Sequence, residues 1–136
     1  GDSIMTAIVL APLTGRPVTF TDLGRLRVQE CERVEALRTE LTKCGVSVTE
    51  KGDTLHIEPG KLQGAEIETY RDHRLAMCFA VLGLSVPGMR LRDPACVRKT
   101  FPSFFQKLAA APPNGVGAQI RDASGAVLAG GDLLAA

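Results

Sequence analysis

At 136 residues, with 45% hydrophobic and 23% charged side chains, the chain has the size and make-up of one globular domain with a proper core. A formal charge of +1 excludes a broad nucleic-acid field, and a chain with no Trp and one Tyr offers no stacking platform for bases. No apolar run approaches the roughly 18 residues that would span a bilayer, and no basic-then-apolar leader is recognisable, so neither nucleic acid nor membrane is an expected partner.

Residues 3–11 are apolar on nearly every side and predict a short buried helix, capped by Asp2 or Ser3 and stopped by Pro12 and Gly15. Their β-branched content leaves a strand open. Val18 and Phe20 alternate with Thr19 and Thr21 and predict a strand. From Glu30 to Cys44 the pattern is helical: Cys31, Val34, Leu37, Leu41 and Cys44 share one stripe, charges fill the other face, and Gly45 ends it. Residues 46–49 and 54–57 predict two short strands joined by the turn Glu50-Lys51-Gly52-Asp53, and residues 65–70 offer another strand. A helix is expected from about Asp72 to Leu84, ended by Pro87-Gly88. A strand over residues 89–92 follows, with Met89 and Leu91 inward and Asp93-Pro94 as its stop. Thr100 is the expected cap of a last helix that tolerates Pro102 in its first turn and presents Phe101, Phe104, Phe105 and Leu108 as its apolar face.

Beyond Ala109 the composition turns to Ala, Gly and Pro. Two regions are therefore expected: residues 1–110, and a tail over 111–136 that begins as a linker and holds either a weak hairpin around Asp122-Ala123-Ser124-Gly125 or no fixed structure. Helices alternating with strands and interrupted by hairpins predict a mixed α/β (α+β) layer structure.

Residues 69–77 carry the densest chemical signal. Asp72 is the expected N-cap, which puts His73 and Arg74 in the first helical turn, beside the positive end of the dipole. Cations there cost up to about 1 kcal/mol, and the compensating gain is an anion site of backbone N–H groups and cationic side chains. The bland alternative is a solvated Arg and a packed His. Two other expected helix starts, Arg27-Val28-Gln29-Glu30-Cys31-Glu32-Arg33 and Arg98-Lys99-Thr100, also bring cations to free backbone donors. If the three converge, Arg33 and Arg74 grip a carboxylate or phosphate with paired N–H donors and Lys99 adds a point charge. Glu30 and Asp2 are then acids held among cations, as proton-transfer groups are. Singly, Glu30 reads equally as a favourable first-turn acid, Arg33 as the partner of a Glu on its own helix, and Lys99 as a solvated lysine.

Other chemistries find no support. The chain has no phosphate-binding Gly-rich loop ending in Lys-Ser or Lys-Thr, and neither His56 nor His73 sits in a helical metal-ligand pair; His56 reads as a surface residue. Cys31, Cys44, Cys78 and Cys96 are far apart and form no Cys-x-x-Cys pair. No metal or redox cofactor is expected, and free thiols suit a reducing cytoplasm. The opening Gly1-Asp2, without an initiating Met, suggests a fragment or processed product.

Four segments, Asp2-Ser3-Ile4-Met5-Thr6, residues 27–33, residues 68–78 and Lys99-Thr100-Phe101-Pro102, resemble in order and spacing the C-terminal part of the 5-enolpyruvylshikimate-3-phosphate synthase family, the 3-phosphoshikimate 1-carboxyvinyltransferases. The resemblance covers residues 1 to about 110. It implies a partial domain of an inside-out α/β barrel built from βαβαββ units, in a two-domain enzyme of aromatic amino-acid biosynthesis that closes over its substrates. The implied reaction moves the enolpyruvyl group of phosphoenolpyruvate to the 5-hydroxyl of shikimate 3-phosphate and releases phosphate. This chain would supply part of the site, and a missing N-terminal portion the rest. By position the resemblance implies that Arg33, Arg74 and Lys99 contact phosphoenolpyruvate and that Asp2 holds the shikimate hydroxyl in proton transfer. Glu30 exchanges a proton with the methylene carbon, and His73 supports them. The family carries Lys where this chain has Gln29, on the shikimate phosphate, and Asn where it has Arg25 and Arg71. Gln29 and Arg25 are thus the expected acceptor contacts. Their departure from the family leaves open an inactive remnant or interaction module, or transfer to a different acceptor.

Overall fold

Apolar residues spaced three and four apart along three segments produce three helices whose buried faces meet. In the computed structural model, which describes residues 2–129 and residue 133 but not the side chains of Asp2 and Lys99, these are α1 (Asp2–Leu10), α2 (Arg33–Lys43) and α3 (His73–Gly83). Met5, Ile8 and Val9 of α1 pack with Val34, Leu37 and Leu41 of α2 and Leu75, Phe79 and Leu82 of α3 in one core. The strand alternative for residues 3–11 is excluded. Burial of Met5, Ile8 and Val9 at helical spacing overrides the β-branched content, with Ser3 and Ala7 left exposed, and the helix tightens into a 3₁₀ turn over Ala11–Thr14 before Gly15 caps it at φ 79°.

A three-stranded antiparallel sheet of order β1-β3-β2 covers this core, formed by β1 (Val18–Phe20), β2 (Val48–Lys51) and β3 (Thr54–Ile57). Leu55 and Ile57 face inward, while Thr19, Thr49 and His56 share the outer face at one register. His56 is accordingly half-exposed, between Thr19 Oγ1 and Glu58 Oε1 at 2.7 Å each. The expected hairpin shifts by two residues. Glu50 and Lys51 join the strand, and the turn shrinks to Gly52-Asp53 with Gly52 at φ 58°.

The strands β4 (Glu66–Glu68) and β5 (Arg90–Arg92) pair in parallel across α3, a βαβ crossover. Its two connections touch. A Cβ built on Gly64 falls 2.3 Å from the Gly88 carbonyl carbon and 2.5 Å from the Pro87 oxygen, so only glycine admits this approach. Met89 precedes the strand but packs with Leu91 against the core, as expected.

The last helix departs from expectation. Residues Pro94–Lys99 form a 3₁₀ helix that Thr100 closes, and α4 (Phe104–Ala109) starts after Ser103. Pro102 is the physical reason: it disfavours helical backbone at Phe101, so the α-helix begins beyond it. None of the residues of α4 is fully buried. Around Asp122 the backbone folds back, with Arg121 bridging Val127 and Asp122 Oδ1 accepting from Ser124 and Ala126 N–H groups. The observed order αβαβββαβα is the mixed α/β arrangement predicted. Among the described residues no helix is long and apolar enough to cross a membrane.

Candidate active site

The start of α3 is built by a carboxylate. Asp72 has extended backbone (φ −101°, ψ 111°), and its Oδ1 accepts the N–H groups of Arg74 at 2.9 Å and Leu75 at 3.5 Å. It satisfies donors that a helix start otherwise leaves open. Immediately before it, Tyr70 and Arg71 both occupy the left-handed region at φ 55° and 54°. Two adjacent non-glycine residues there cost about 1–3 kcal/mol each and persist only where their surroundings hold them. Thr69 secures the near end, donating to Arg92 O at 2.7 Å and accepting from Asp72 N–H at 2.8 Å through its carbonyl.

The start of α2 lies three residues later than the stripe pattern predicts. Glu32, not a residue before Glu30, is the cap, and its side chain accepts from Glu35 N–H at 2.8 Å. Glu30 therefore stands exposed on the approach to the helix rather than in its first turn. Arg33, now the first helical residue, is 3% exposed. Its Nε donates to Asp72 Oδ2 at 2.6 Å, its Nη2 to Asp72 Oδ1 at 3.1 Å, and its Nη1 to Gln29 Oε1. The fork expected to grip a ligand is thus seated on a buried carboxylate, a bidentate arrangement that fixes the guanidinium plane. Burial alone pushes the Asp72 carboxyl up; the Arg33 guanidinium outweighs it, with help from Arg74 N–H, and holds the group below its ordinary value. Cys31, whose thiol donates to Asp72 Oδ2 at 3.4 Å, is pushed up to about 12 by burial and then by that carboxylate.

These two helix starts, some forty residues apart in sequence, line one open cleft of about 430 Å³ with Gln29, Glu30, Arg33, His73 and Arg74. His73 is 7% exposed, and its Nδ1 is buried with no hydrogen-bond partner among the described residues. Such an atom costs about 1–3 kcal/mol unless something in the cleft satisfies it. Arg25 is exposed on the 3₁₀ helix Gly24–Val28 and is not among the cleft-lining residues. Arg71, also exposed, is likewise outside the lining set. Asp2 opens α1, and Lys99 ends the 3₁₀ helix that packs against α3; both side chains lie outside the described set. Arg98 and Lys99 therefore stand at the end of a short helix and not, as expected, at the start of one. Arg27, from the same expected cluster as Arg33, is an anchor: it bonds Asp53 at 2.7 Å, Glu50 at 2.8 Å and Glu32 at 3.0 Å and ties the chain to the β2–β3 hairpin.

Periodicity missed one residue altogether. Glu40 falls on the charged face of α2, yet it is fully buried. Its carboxylate accepts from Lys43 Nζ at 2.7 Å, Glu68 N–H at 2.9 Å and Tyr70 Oη at 2.6 Å. No local spacing announces this, because two of the three donors come from the end of β4 and the turn after it. Burial and then Glu40 push the Tyr70 phenol above its ordinary range.

Chemically, the cleft brings together two guanidinium groups, one of them seated on Asp72, the imidazole of His73 and one exposed carboxylate. Cationic groups around an open cleft suit a small anion, with Glu30 beside it as an acid or base. Comparison with known proteins shows the family. The family model of EPSP synthase (3-phosphoshikimate 1-carboxyvinyltransferase) matches residues 1–108. The chain is similar to the 3-phosphoshikimate 1-carboxyvinyltransferases of Nostoc punctiforme, 47% identical over 106 residues covering 78% of this chain and 25% of the relative, and of Rhizobium etli, 44% identical over 115 residues covering 80% and 27%. It thus spans about a quarter of the length of the curated relatives it matches. Among solved structures, the EPSP synthase of Acinetobacter baumannii superposes with a TM-score of 0.72 at 28% identity, over 79% of this chain and 26% of that one.

Proposed function

Because the chain belongs to the EPSP synthase family, we propose that it supplies the phosphoenolpyruvate side of an active site that passes the enolpyruvyl group to the 5-hydroxyl of shikimate 3-phosphate and releases phosphate. The observation that carries the reading is the meeting of Glu30, Arg33, His73 and Arg74 in one cleft. Addition requires a proton on the methylene carbon while the acceptor hydroxyl loses its own; elimination of phosphate from the tetrahedral adduct reverses that traffic. One acid–base pair therefore serves twice, and cations must hold the carboxylate and phosphate in line throughout.

In this assignment Arg74 and Lys99 grip the two anionic groups of phosphoenolpyruvate, and Arg33, seated on Asp72, presents a fixed positive charge beneath them. Glu30 exchanges the proton with the methylene carbon. His73 supplies a hydrogen bond from its buried ring, and Asp2 orients the acceptor hydroxyl. The acceptor's remaining contacts come from the portion of the enzyme outside this chain, so residues 1–110 act as part of a transferase domain and residues 111–136 as an appendage to it. The four unpaired cysteines fit a cytoplasmic enzyme.

Calorimetry with phosphoenolpyruvate and shikimate 3-phosphate on this chain, then on its mixture with the remaining portion, tests the assignment. Weak phosphoenolpyruvate binding by the chain and phosphate release on mixing are expected; no binding by either preparation sinks it. One observation favours a second reading, transfer to a different acceptor. Gln29 brings no charge to the cleft, and its amide oxygen accepts from Arg33. A screen of hydroxyl acceptors by phosphate release separates the two.

A further inference from the structure

Arg33 and Glu40 stand seven residues apart on α2, two turns along one face. Both are buried, and both reach the same short segment. Glu40 takes Glu68 N–H and Tyr70 Oη, while Arg33 takes Asp72. Between these two fastenings lie the left-handed residues Tyr70 and Arg71, and directly after them come His73 and Arg74. Tyr70 is not among the cleft-lining residues. A chain relaxing out of two successive left-handed conformations would swing the start of α3 and re-aim the side chains of its first turn, so whatever holds the turn also sets the cleft.

We propose that Glu40 and Tyr70 form a positioning latch: by holding the strained turn from outside the cleft they aim His73 and Arg74 into it. The Tyr70 hydroxyl is the one side-chain donor that the turn itself sends to Glu40, since Lys43 lies on α2 and Glu68 donates from its backbone. The latch rests on the anion-binding role proposed for the cleft, but its geometry can be read without a ligand.

The test uses the full 136-residue chain with Tyr70→Phe, which keeps the ring and leaves Glu40 two of its three donors. Phosphoenolpyruvate affinity is measured by calorimetry, and amide exchange at Arg74 and Leu75, the two N–H groups held by Asp72, by NMR. For Tyr70→Phe, loss of one hydrogen bond to a buried carboxylate predicts about a tenfold weaker affinity and about tenfold faster exchange at both amides. The β2–β3 hairpin amides keep wild-type protection, which a general loss of stability would not allow. If wild type binds phosphoenolpyruvate and Tyr70→Phe binds it equally well, the latch is overturned and the proposed function stands. If neither wild type alone nor its mixture with the remaining portion binds it, the proposed function falls. The exchange rates then decide the latch: unchanged rates at Arg74 and Leu75 overturn it, and accelerated ones support it.

Discussion

Asp72→Asn separates two jobs that one carboxylate performs. Asn is as good an N-cap as Asp, so the bonds to Arg74 and Leu75 N–H survive the change, while the charge facing Arg33 is lost. The remaining amide oxygen can accept only one of the two Arg33 donors now at 2.6 and 3.1 Å, and Arg33, a residue 3% exposed, loses the charge of that carboxylate. Breaking a buried pair from one side costs up to about 3–5 kcal/mol, and one charged hydrogen bond about 1.5–3, so a loss of about 2–4 kcal/mol is expected at pH 7. In a chain of this size that is a fall in Tm of roughly 8–15 °C. The pH dependence has a definite sign. Asp72 is held below its ordinary 3.8 in the folded chain, so the unfolded chain binds the proton first. The pair's contribution is complete above that ordinary value and disappears as the pH falls through the lower folded one. Urea unfolding followed by circular dichroism should therefore show a wide gap between the two proteins at neutral pH that narrows only in the acid range. A variant within ~0.5 kcal/mol of wild type at pH 7, or a gap that is the same in strong acid, would refute the reasoning.

Three further outcomes are expected. On the proposed assignment, Arg74→Ala should weaken phosphoenolpyruvate binding by calorimetry about tenfold to a hundredfold, and binding within about twofold of wild type would count against Arg74 as a ligand contact. Gly64→Ala should destabilise the chain by about 1–3 kcal/mol in urea unfolding, because its methyl carbon would sit 2.3 Å from the Gly88 carbonyl carbon; a neutral result would mean the two connections separate easily. Cys31, pushed up by burial and the Asp72 carboxylate, should react with iodoacetamide at pH 8 at least about tenfold more slowly than in the urea-unfolded chain, as read by mass spectrometry of its peptide.

What the sequence made legible follows from the range of the forces involved. The cap at Asp72 and the first-turn placement of His73 and Arg74 rest on spacing within four residues, and they stand as read. The core stripe of α2 is equally local, and Val34, Leu37 and Leu41 are buried as the pattern requires. The start of that helix was not legible: Cys31 extends the stripe by one step, but the Glu32 cap and its bond to Glu35 end the helix after it. Arg33 and Asp72 each had a sufficient local account, one as a ligand grip and the other as a cap, so nothing in either segment pointed to their pairing across 39 residues. Glu40 was hidden more deeply. A glutamate on a charged face reads as solvated until a second segment arrives to cover it, and its donors at Glu68 and Tyr70 come from that segment. Pro102 was visible, but whether it starts a helix or delays one depends on the 3₁₀ turn before it.

The Tyr70 contact gives the chain a built-in optical gauge. With no tryptophan and no second tyrosine, its intrinsic emission comes from the phenol that donates to Glu40. A phenol in that posture passes its excited-state proton to the carboxylate and glows dimly. Anything that loosens the turn, whether a denaturant or a substitution, should brighten it without a dye ever being attached.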